Sequence, residues 1–122
     1  MCNFVNLGYN EVAGESYVYV GELKPGTEQP HGMGIMVTDT GIVDEGFWKD
    51  GMKHGKGRSM NCHGDWSFGE YKDDTNHGEW TCYYAEDDGT VKEVGKWEDS
   101  VKVGTFVLTM PNGDIQEVQY DN

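Results

Sequence analysis

The sequence predicts an all-β protein, built as a single elongated, twisted antiparallel sheet of about four β-hairpins plus a terminal strand. Three observations predict this fold. A His-Gly pair recurs every 23 residues, at 31–32, 54–55 and 77–78. Glycines recur in three columns, and turn-forming segments alternate with short segments rich in apolar residues. Because a fixed period of about 20 to 50 residues is the signature of a repeat architecture, we expect most of the chain to be a tandem array.

The glycine columns set the register of the repeats. The first column is Gly21, Gly46, Gly69 and Gly95, the second is Gly32, Gly55, Gly78 and Gly104, and the third is Gly41, Gly64, Gly89 and Gly113. We interpret the first two columns, and His31, His54 and His77, as structural positions of the repeat. A large residue lies two places after each glycine of the first column, and residues two apart share a face of a strand. We therefore expect one column of side chains, which the tail extends: Leu23, Trp48, Tyr71, Trp97 and Tyr120.

The elements follow in order from this register. Residues 1–16 are interpreted as an N-terminal cap segment and residues 17–122 as the repeat domain, with units at about 17–40, 41–63, 64–88 and 89–112 and a partial unit at 113–121. Each unit is predicted to hold two strands joined by a turn such as Asp50-Gly51, a strong hairpin signal. A second turn ends in a glycine of the third column. The terminal strand makes about nine strands, and we expect the cap and the partial unit to cover the two ends of the sheet.

Composition and charge exclude several classes of protein. The chain has 122 residues, which suits one domain, and 12% of them are aromatic, which is more than a disordered chain usually carries. The net charge of −13 has the wrong sign for binding nucleic acid, because phosphates need cations. We interpret the excess of acidic residues as a solvated surface, and the alternative is a surface for a cationic partner.

The cysteines and the N-terminal segment bear on the compartment. The odd number of cysteines, at positions 2, 62 and 82, and a start without the basic-then-apolar pattern of a signal peptide favour a reducing environment. No apolar segment approaches the roughly 20 residues of a membrane span. We expect a cytoplasmic or cytoskeletal protein that is not secreted, and an organelle stays open.

No catalytic, metal or cofactor site is predicted. Histidines at equivalent positions of successive hairpins would lie about 10 Å apart, whereas zinc binds nitrogen at about 2 Å. Cys62, His63 and Cys82 lack a Cys-x-x-Cys pair, and their spacing places no base beside a cysteine nucleophile. We therefore expect a protein that is not an enzyme and that needs neither metal nor cofactor.

Four segments, within about residues 17–121, resemble the MORN repeat, whose pattern is an aromatic residue, any residue, glycine, any residue and tryptophan, then a turn and His-Gly-x-Gly. The best matches are GFWKDGMKHGKG at 46–57 and GEYKDDTNHGEW at 69–80. YVGELKPGTEQPHGMG at 19–34 is longer, and GKWEDSVKVGTF at 95–106 is degenerate. The chain departs from the pattern at Trp80 and Phe106, which stand where the second glycine is expected, and at Val103, which stands in place of the histidine.

The resemblance implies an elongated sheet of successive hairpins and a scaffolding role, since members occur in ciliary, cytoskeletal and membrane-contact proteins and beside lipid kinases and lysine methyltransferases. We expect a non-enzymatic interaction module that is a small subunit of a larger cytoskeletal, ciliary or membrane-associated assembly. Its partner protein, presented as a helix or an extended peptide, would bind along an aromatic groove. The residues of this predicted groove are Trp48, Tyr71, Trp97, Tyr120 and Leu23.

Three alternatives stay open. The aromatic column is also interpretable as the core of a single-layer sheet, and the opposite face carries apolar residues of its own, namely Val43, Phe47, Trp66 and Phe68. A basic bend would dock the chain to anionic membrane lipids at about 1 kcal/mol per basic residue. The residues of this bend are Lys49, Lys53, Lys56 and Arg58. The third alternative is an accessory unit of a separate enzyme.

Overall fold

The protein is a single open antiparallel sheet, as the sequence predicts. The computed structural model describes residues 10–14, 16–87 and 89–120, and these contain ten strands and no helix. The strands are β1 (Asn10–Ala13), β2 (Tyr17–Leu23), β3 (Pro30–Thr38), β4 (Val43–Lys49), β5 (Met52–Met60), β6 (Trp66–Lys72), β7 (Thr75–Glu86), β8 (Gly89–Glu98), β9 (Val101–Thr109) and β10 (Ile115–Tyr120). Each strand pairs with its neighbours in sequence, from β1 to β10.

The N-terminal segment contributes one more strand than the repeat pattern predicts. Strand β1 pairs with β2 from Asn10 opposite Gly21 to Ala13 opposite Val18. The backbone N–H of Gly14 donates to the carbonyl of Tyr17 at 2.9 Å, which closes the hairpin. Part of the predicted cap therefore extends the sheet, and the rest of that prediction, at residues 1–9 and at Glu15, lies outside the described residues.

Tight two-residue turns join the two strands of three hairpins, β4 to β5, β6 to β7 and β8 to β9, at one end of the strands. Both central residues have positive φ in the turns at 50–51, 73–74 and 99–100, with values between 49° and 85°. This conformation matches the natural twist of a hairpin and favours Gly, Asn and Asp. The Asp-Gly signal at 50–51 is confirmed, and aspartates occupy the equivalent turn at 73–74.

Longer loops connect β3 to β4, β5 to β6 and β9 to β10 at the opposite ends of the strands. The backbone N–H of Asn61 donates to the carbonyl of Asp65 at 3.0 Å, and that of Met110 donates to Asp114 at 2.8 Å. Gly64 and Gly113 complete these loops at φ near +90°, a conformation that glycine adopts without steric cost. The glycines of the third column therefore mark these ends of the strands.

A row of glycines crosses the sheet beneath aromatic rings. Gly21, Gly34, Gly46, Gly57 and Gly69 face one another on consecutive strands. A Cβ atom added at Gly34, Gly69 or Gly95 would overlap the rings of Tyr19, Trp80 and Phe106 respectively. We call this side of the sheet the aromatic face; its ring residues are Tyr19, Trp48, Tyr71, Trp80, Trp97, Phe106 and Tyr120.

The rings of the aromatic face pack against each other edge to face. Ring centroids lie 5.6 Å apart for Tyr19 and Trp48 and 4.8 Å apart for Tyr71 and Trp80. Tyr19, Trp80 and Phe106 are at most 1% exposed. Because the row of glycines has no side chains, the rings lie flat on the backbone. This single-layer sheet therefore obtains a core from its own side chains.

Alkaline titration tests the burial of the Tyr19 side chain. Its hydroxyl donates to the carbonyl of Glu22 at 2.7 Å, and burial, with the charge of Glu22, raises the pKa of Tyr19 from 10.0 to about 12. The folded protein keeps a proton that the unfolded chain releases, so we expect the stability held below pH 10.0 to be lost as pH rises toward about 12. The difference in tyrosinate absorbance between wild type and Tyr19→Phe measures this pKa, and a value near 10.0 would contradict the packing described.

Candidate interaction surfaces

Two of the three recurring histidines, His31 and His54, lie beside the tight turn of the following hairpin. Nδ1 of His31 accepts a hydrogen bond from the backbone N–H of Asp50 at 3.2 Å, and Nδ1 of His54 lies 3.5 Å from Oδ1 of Asp73. Backbone bonds reinforce this link, since the N–H of Asp74 donates to the carbonyl of Lys53 at 2.9 Å. His31 therefore joins successive repeat units through a hydrogen bond, whereas His54 lies close to Asp73 without one.

The five residues of the predicted groove differ in how much of each is left for a partner. Trp48 and Tyr71 are 6% and 8% exposed, and Nε1 of Trp48 donates to the carbonyl of Gly34 at 3.3 Å. Trp97, Tyr120 and Leu23 are half-buried. Packing within the sheet thus uses most of the surface of the first two side chains, and only the other three retain a sizeable accessible part.

Three buried aromatic residues of the aromatic face lie outside the predicted column, namely Tyr19, Trp80 and Phe106. Trp80 and Phe106 reach the aromatic face from β7 and β9, the strands that follow the tight turns, whereas the predicted column lies on β2, β4, β6, β8 and β10. Each ring covers a glycine of the preceding strand, Gly69 and Gly95 respectively. The signal was present in the sequence, because both positions change from the smallest residue to an aromatic one at the same place of the repeat.

The other side of the sheet, which we call the open face, keeps its apolar side chains exposed. Strand register and the alternation of side chains place every exposed large hydrophobic residue of the described strands on this side. They are Val18, Met33, Val37, Phe47, Met52, Met60, Phe68, Val101, Val107 and Ile115. Val43 and Trp66, which the sequence points to, lie there too and are half-buried.

One line of apolar side chains runs across six strands of the open face. Consecutive register pairs connect its members, which are Val18, Val37, Val43, Met60, Trp66 and Tyr83. We call this line the apolar row. Facing side chains on adjacent strands lie about 4.5–5.5 Å apart at Cβ, so the row is continuous.

An aromatic platform forms the centre of the open face. The Trp66 ring stacks on Tyr83 with centroids 4.4 Å apart and on Phe68 with centroids 5.7 Å apart. Rings that are held by each other lose little freedom on binding, so this platform is suited to receive an apolar side chain of a partner.

The four residues of the basic bend do not converge. Lys53 lies on the aromatic face, with Nζ 4.4 Å from the centre of the Tyr71 ring and 3.8 Å from Oδ2 of Asp44. Arg58 lies on the open face and donates to Oε1 of Glu45 at 3.1 Å. Lys49 and Lys56 are exposed. Two of the four positive charges are therefore balanced locally, on opposite sides of the sheet.

No protein-family model and no curated protein matches the chain. Among residues 10–14, 16–87 and 89–120, no group of three or more His, Cys, Asp and Glu residues is placed to hold a metal ion. The same residues include no helix that is long and apolar enough to cross a membrane.

Proposed function

We propose that the protein is a non-enzymatic interaction module and that the open face is its main contact surface for a partner protein. The observation that carries this proposal is the one-sided distribution of exposed hydrophobic side chains. Contiguous exposed apolar surface is rare on monomeric proteins and usually marks an interaction site. Aromatic anchors such as Trp66, Phe68 and Tyr83 are typical of the energetic centres of such sites.

The form of the partner follows from the shape of the surface. The apolar row is narrow and crosses the strands, so an amphipathic helix or an extended peptide with apolar side chains on one side would match it. The accessible parts of Trp97, Tyr120 and Leu23 on the aromatic face are a second proposed contact. Trp48 and Tyr71 do not touch the partner in this proposal, and they support the contact only by stabilising the sheet.

The resemblance to the MORN repeat adds the kind of assembly to the proposal. A small subunit of a cytoskeletal, ciliary or membrane-associated assembly needs a stiff surface rather than a reactive site, and a sheet stiffened by glycine and aromatic packing provides one. Docking to anionic lipids through the basic bend is the alternative. It is disfavoured by the local pairing of Lys53 and Arg58 with acidic residues, since paired charges add little attraction.

Site-specific photo-crosslinking tests the proposal. With p-benzoylphenylalanine at position 60, in the apolar row, we expect the native cells to yield crosslinks to one defined protein, and we expect Trp66→Ser with Phe68→Ser to abolish them. The matched control is Met52→Ser with Val101→Ser. It removes two exposed apolar side chains that follow tight turns and lie outside the apolar row. Crosslinks that survive the first pair of changes would overturn the assignment of the open face.

Sedimentation with lipid vesicles distinguishes this proposal from docking to a membrane. We expect no sedimentation of the protein with vesicles that contain phosphoinositides. Binding that disappears in Lys53→Glu with Lys56→Glu, together with absence of protein crosslinks from position 60, would favour membrane docking and contradict the proposal.

A further inference from the structure

Lys102 is surrounded by three aromatic rings on the aromatic face. Its Nζ lies 5.5 Å from the ring centroid of Trp97, 5.1 Å from that of Phe106 and 5.2 Å from that of Tyr120. A cation within about 6 Å of a ring centroid is attracted by the negative face of the ring. Three such rings around one ammonium form a cage that selects for positive charge.

A buried carboxylate completes the cage. Glu93 is 4% exposed, and its Oε2 accepts a hydrogen bond from Nζ of Lys102 at 2.9 Å. Its Oε1 accepts from the hydroxyl of Tyr84 at 3.0 Å. A buried carboxylate is stable only when its charge and its lone pairs are both satisfied, so the cage requires a cation that also donates a hydrogen bond.

The second repeat unit has a simpler version of this arrangement. Asp44, Trp48 and Lys53 stand at the same positions of their unit as Glu93, Trp97 and Lys102. There the ammonium lies over one ring, that of Tyr71, and 3.8 Å from the carboxylate. Tyr120 corresponds to Tyr71 of the second unit, whereas Phe106 stands where that unit has Gly57. The fourth unit therefore elaborates a position of the repeat by adding the Phe106 ring, and it also brings the Trp97 ring to 5.5 Å from the ammonium.

We propose that Trp97, Phe106, Tyr120 and Glu93 form a binding site for primary alkylammonium groups, the class to which lysine side chains belong, and that Lys102 fills it as an internal ligand. A quaternary ammonium would fit the rings but would leave Oε2 of Glu93 without a donor, which is costly for a buried carboxylate. The site is thus selective for an ammonium that carries N–H bonds. This proposal does not depend on the function of the open face.

An outside ammonium reaches the site by displacing Lys102. The Lys102 side chain is 24% exposed and has a flexible stem, so it can turn into solvent while the strand stays in place. Occupation by Lys102 lowers the apparent affinity for an external ligand by the fraction of time that the site is free. The free protein is therefore autoinhibited, and removing the Lys102 ammonium opens the site.

The test compares small amines on the Lys102→Ala variant. We expect n-propylammonium to raise the melting temperature of this variant, with an apparent affinity on the order of tenfold or more above that of wild type. Tetramethylammonium and sodium, at equal ionic strength, should leave it unchanged. In Lys102→Ala with Glu93→Gln the preference for the primary amine should disappear. A folded Lys102→Ala variant that responds equally to both amines would overturn the proposal.

Wild-type protein provides a second measurement in case that variant does not fold. Ring currents from three aromatic side chains shift the Lys102 Hε resonances away from their values in an unfolded chain. We expect added n-butylammonium to move these resonances back toward those values as the internal ligand is displaced, and tetramethylammonium to have no such effect. Resonances that do not move with n-butylammonium, when the sheet is intact by circular dichroism, would contradict the displacement step.

Discussion

Replacing Trp80 with alanine is expected to lower the free energy of unfolding by about 3–5 kcal/mol, the range observed when a large buried aromatic side chain is truncated. Trp80 is 1% exposed, its ring packs edge to face on Tyr71, and its Nε1 donates to the carbonyl of Glu70 at 2.9 Å. Typical domains are stable by only about 5–15 kcal/mol, so the variant should be marginally folded. Equilibrium urea denaturation, followed by circular dichroism, measures the loss.

The matched control lies on the neighbouring strand. Phe68 is also aromatic but is 42% exposed on the open face. Phe68→Ala should cost about 1 kcal/mol or less, as expected for a change away from the core. Equal losses for Trp80→Ala and Phe68→Ala would mean that the two faces of the sheet are packed alike, which contradicts the asymmetry described.

Adding a single methyl group beneath the Trp80 ring is also expected to destabilise the protein, by a smaller amount. A Cβ atom at Gly69 would overlap this ring, and Gly69 does not have positive φ, so a substitution there changes sterics alone. Overpacking of this kind typically costs about 1–3 kcal/mol, so Gly69→Ala should lower the urea midpoint clearly. Alanine ordinarily suits a strand better than glycine does, so a neutral or stabilising result would show that the ring does not lie there.

Gly104→Ala is the control for backbone strain. Gly104 has φ of +72° and no atom within 4 Å of an added Cβ. Its substitution should cost about 1–2 kcal/mol through the left-handed conformation alone. The two glycine variants thus separate a steric requirement from a conformational one.

The repeat pattern predicts the architecture well because turns and glycines are local signals. The Asp50-Gly51 turn and the glycines of the longer loops require special backbone conformations, which few residue types satisfy. The constant spacing of these turns and glycines predicts both the length of the strands and their register. Strand β1 was missed, because residues 10–13 carry none of these signals.

The alternation of side chains along the strands does not predict which face of the sheet is buried and which is exposed. Phe47 and Trp48 are adjacent, so β4 offers a large apolar side chain to each side of the sheet. The row of glycines determines which face buries the aromatic rings, because it leaves room for them on one side only. Locating this row requires knowledge of which residues face each other on adjacent strands. The lysine cage was missed for the same reason, since Glu93 and Lys102 meet only when β8 and β9 pair.

The most direct test of the account is a double-mutant cycle between Gly69 and Trp80. If the Trp80 ring lies on the Gly69 backbone, the cost of Gly69→Ala should disappear once Trp80 is alanine, with a coupling free energy on the order of 1–3 kcal/mol in urea denaturation. Gly104→Ala paired with Trp80→Ala should show no coupling. Additive effects of Gly69→Ala and Trp80→Ala would contradict the packing on which the open face, and the function proposed for it, depend.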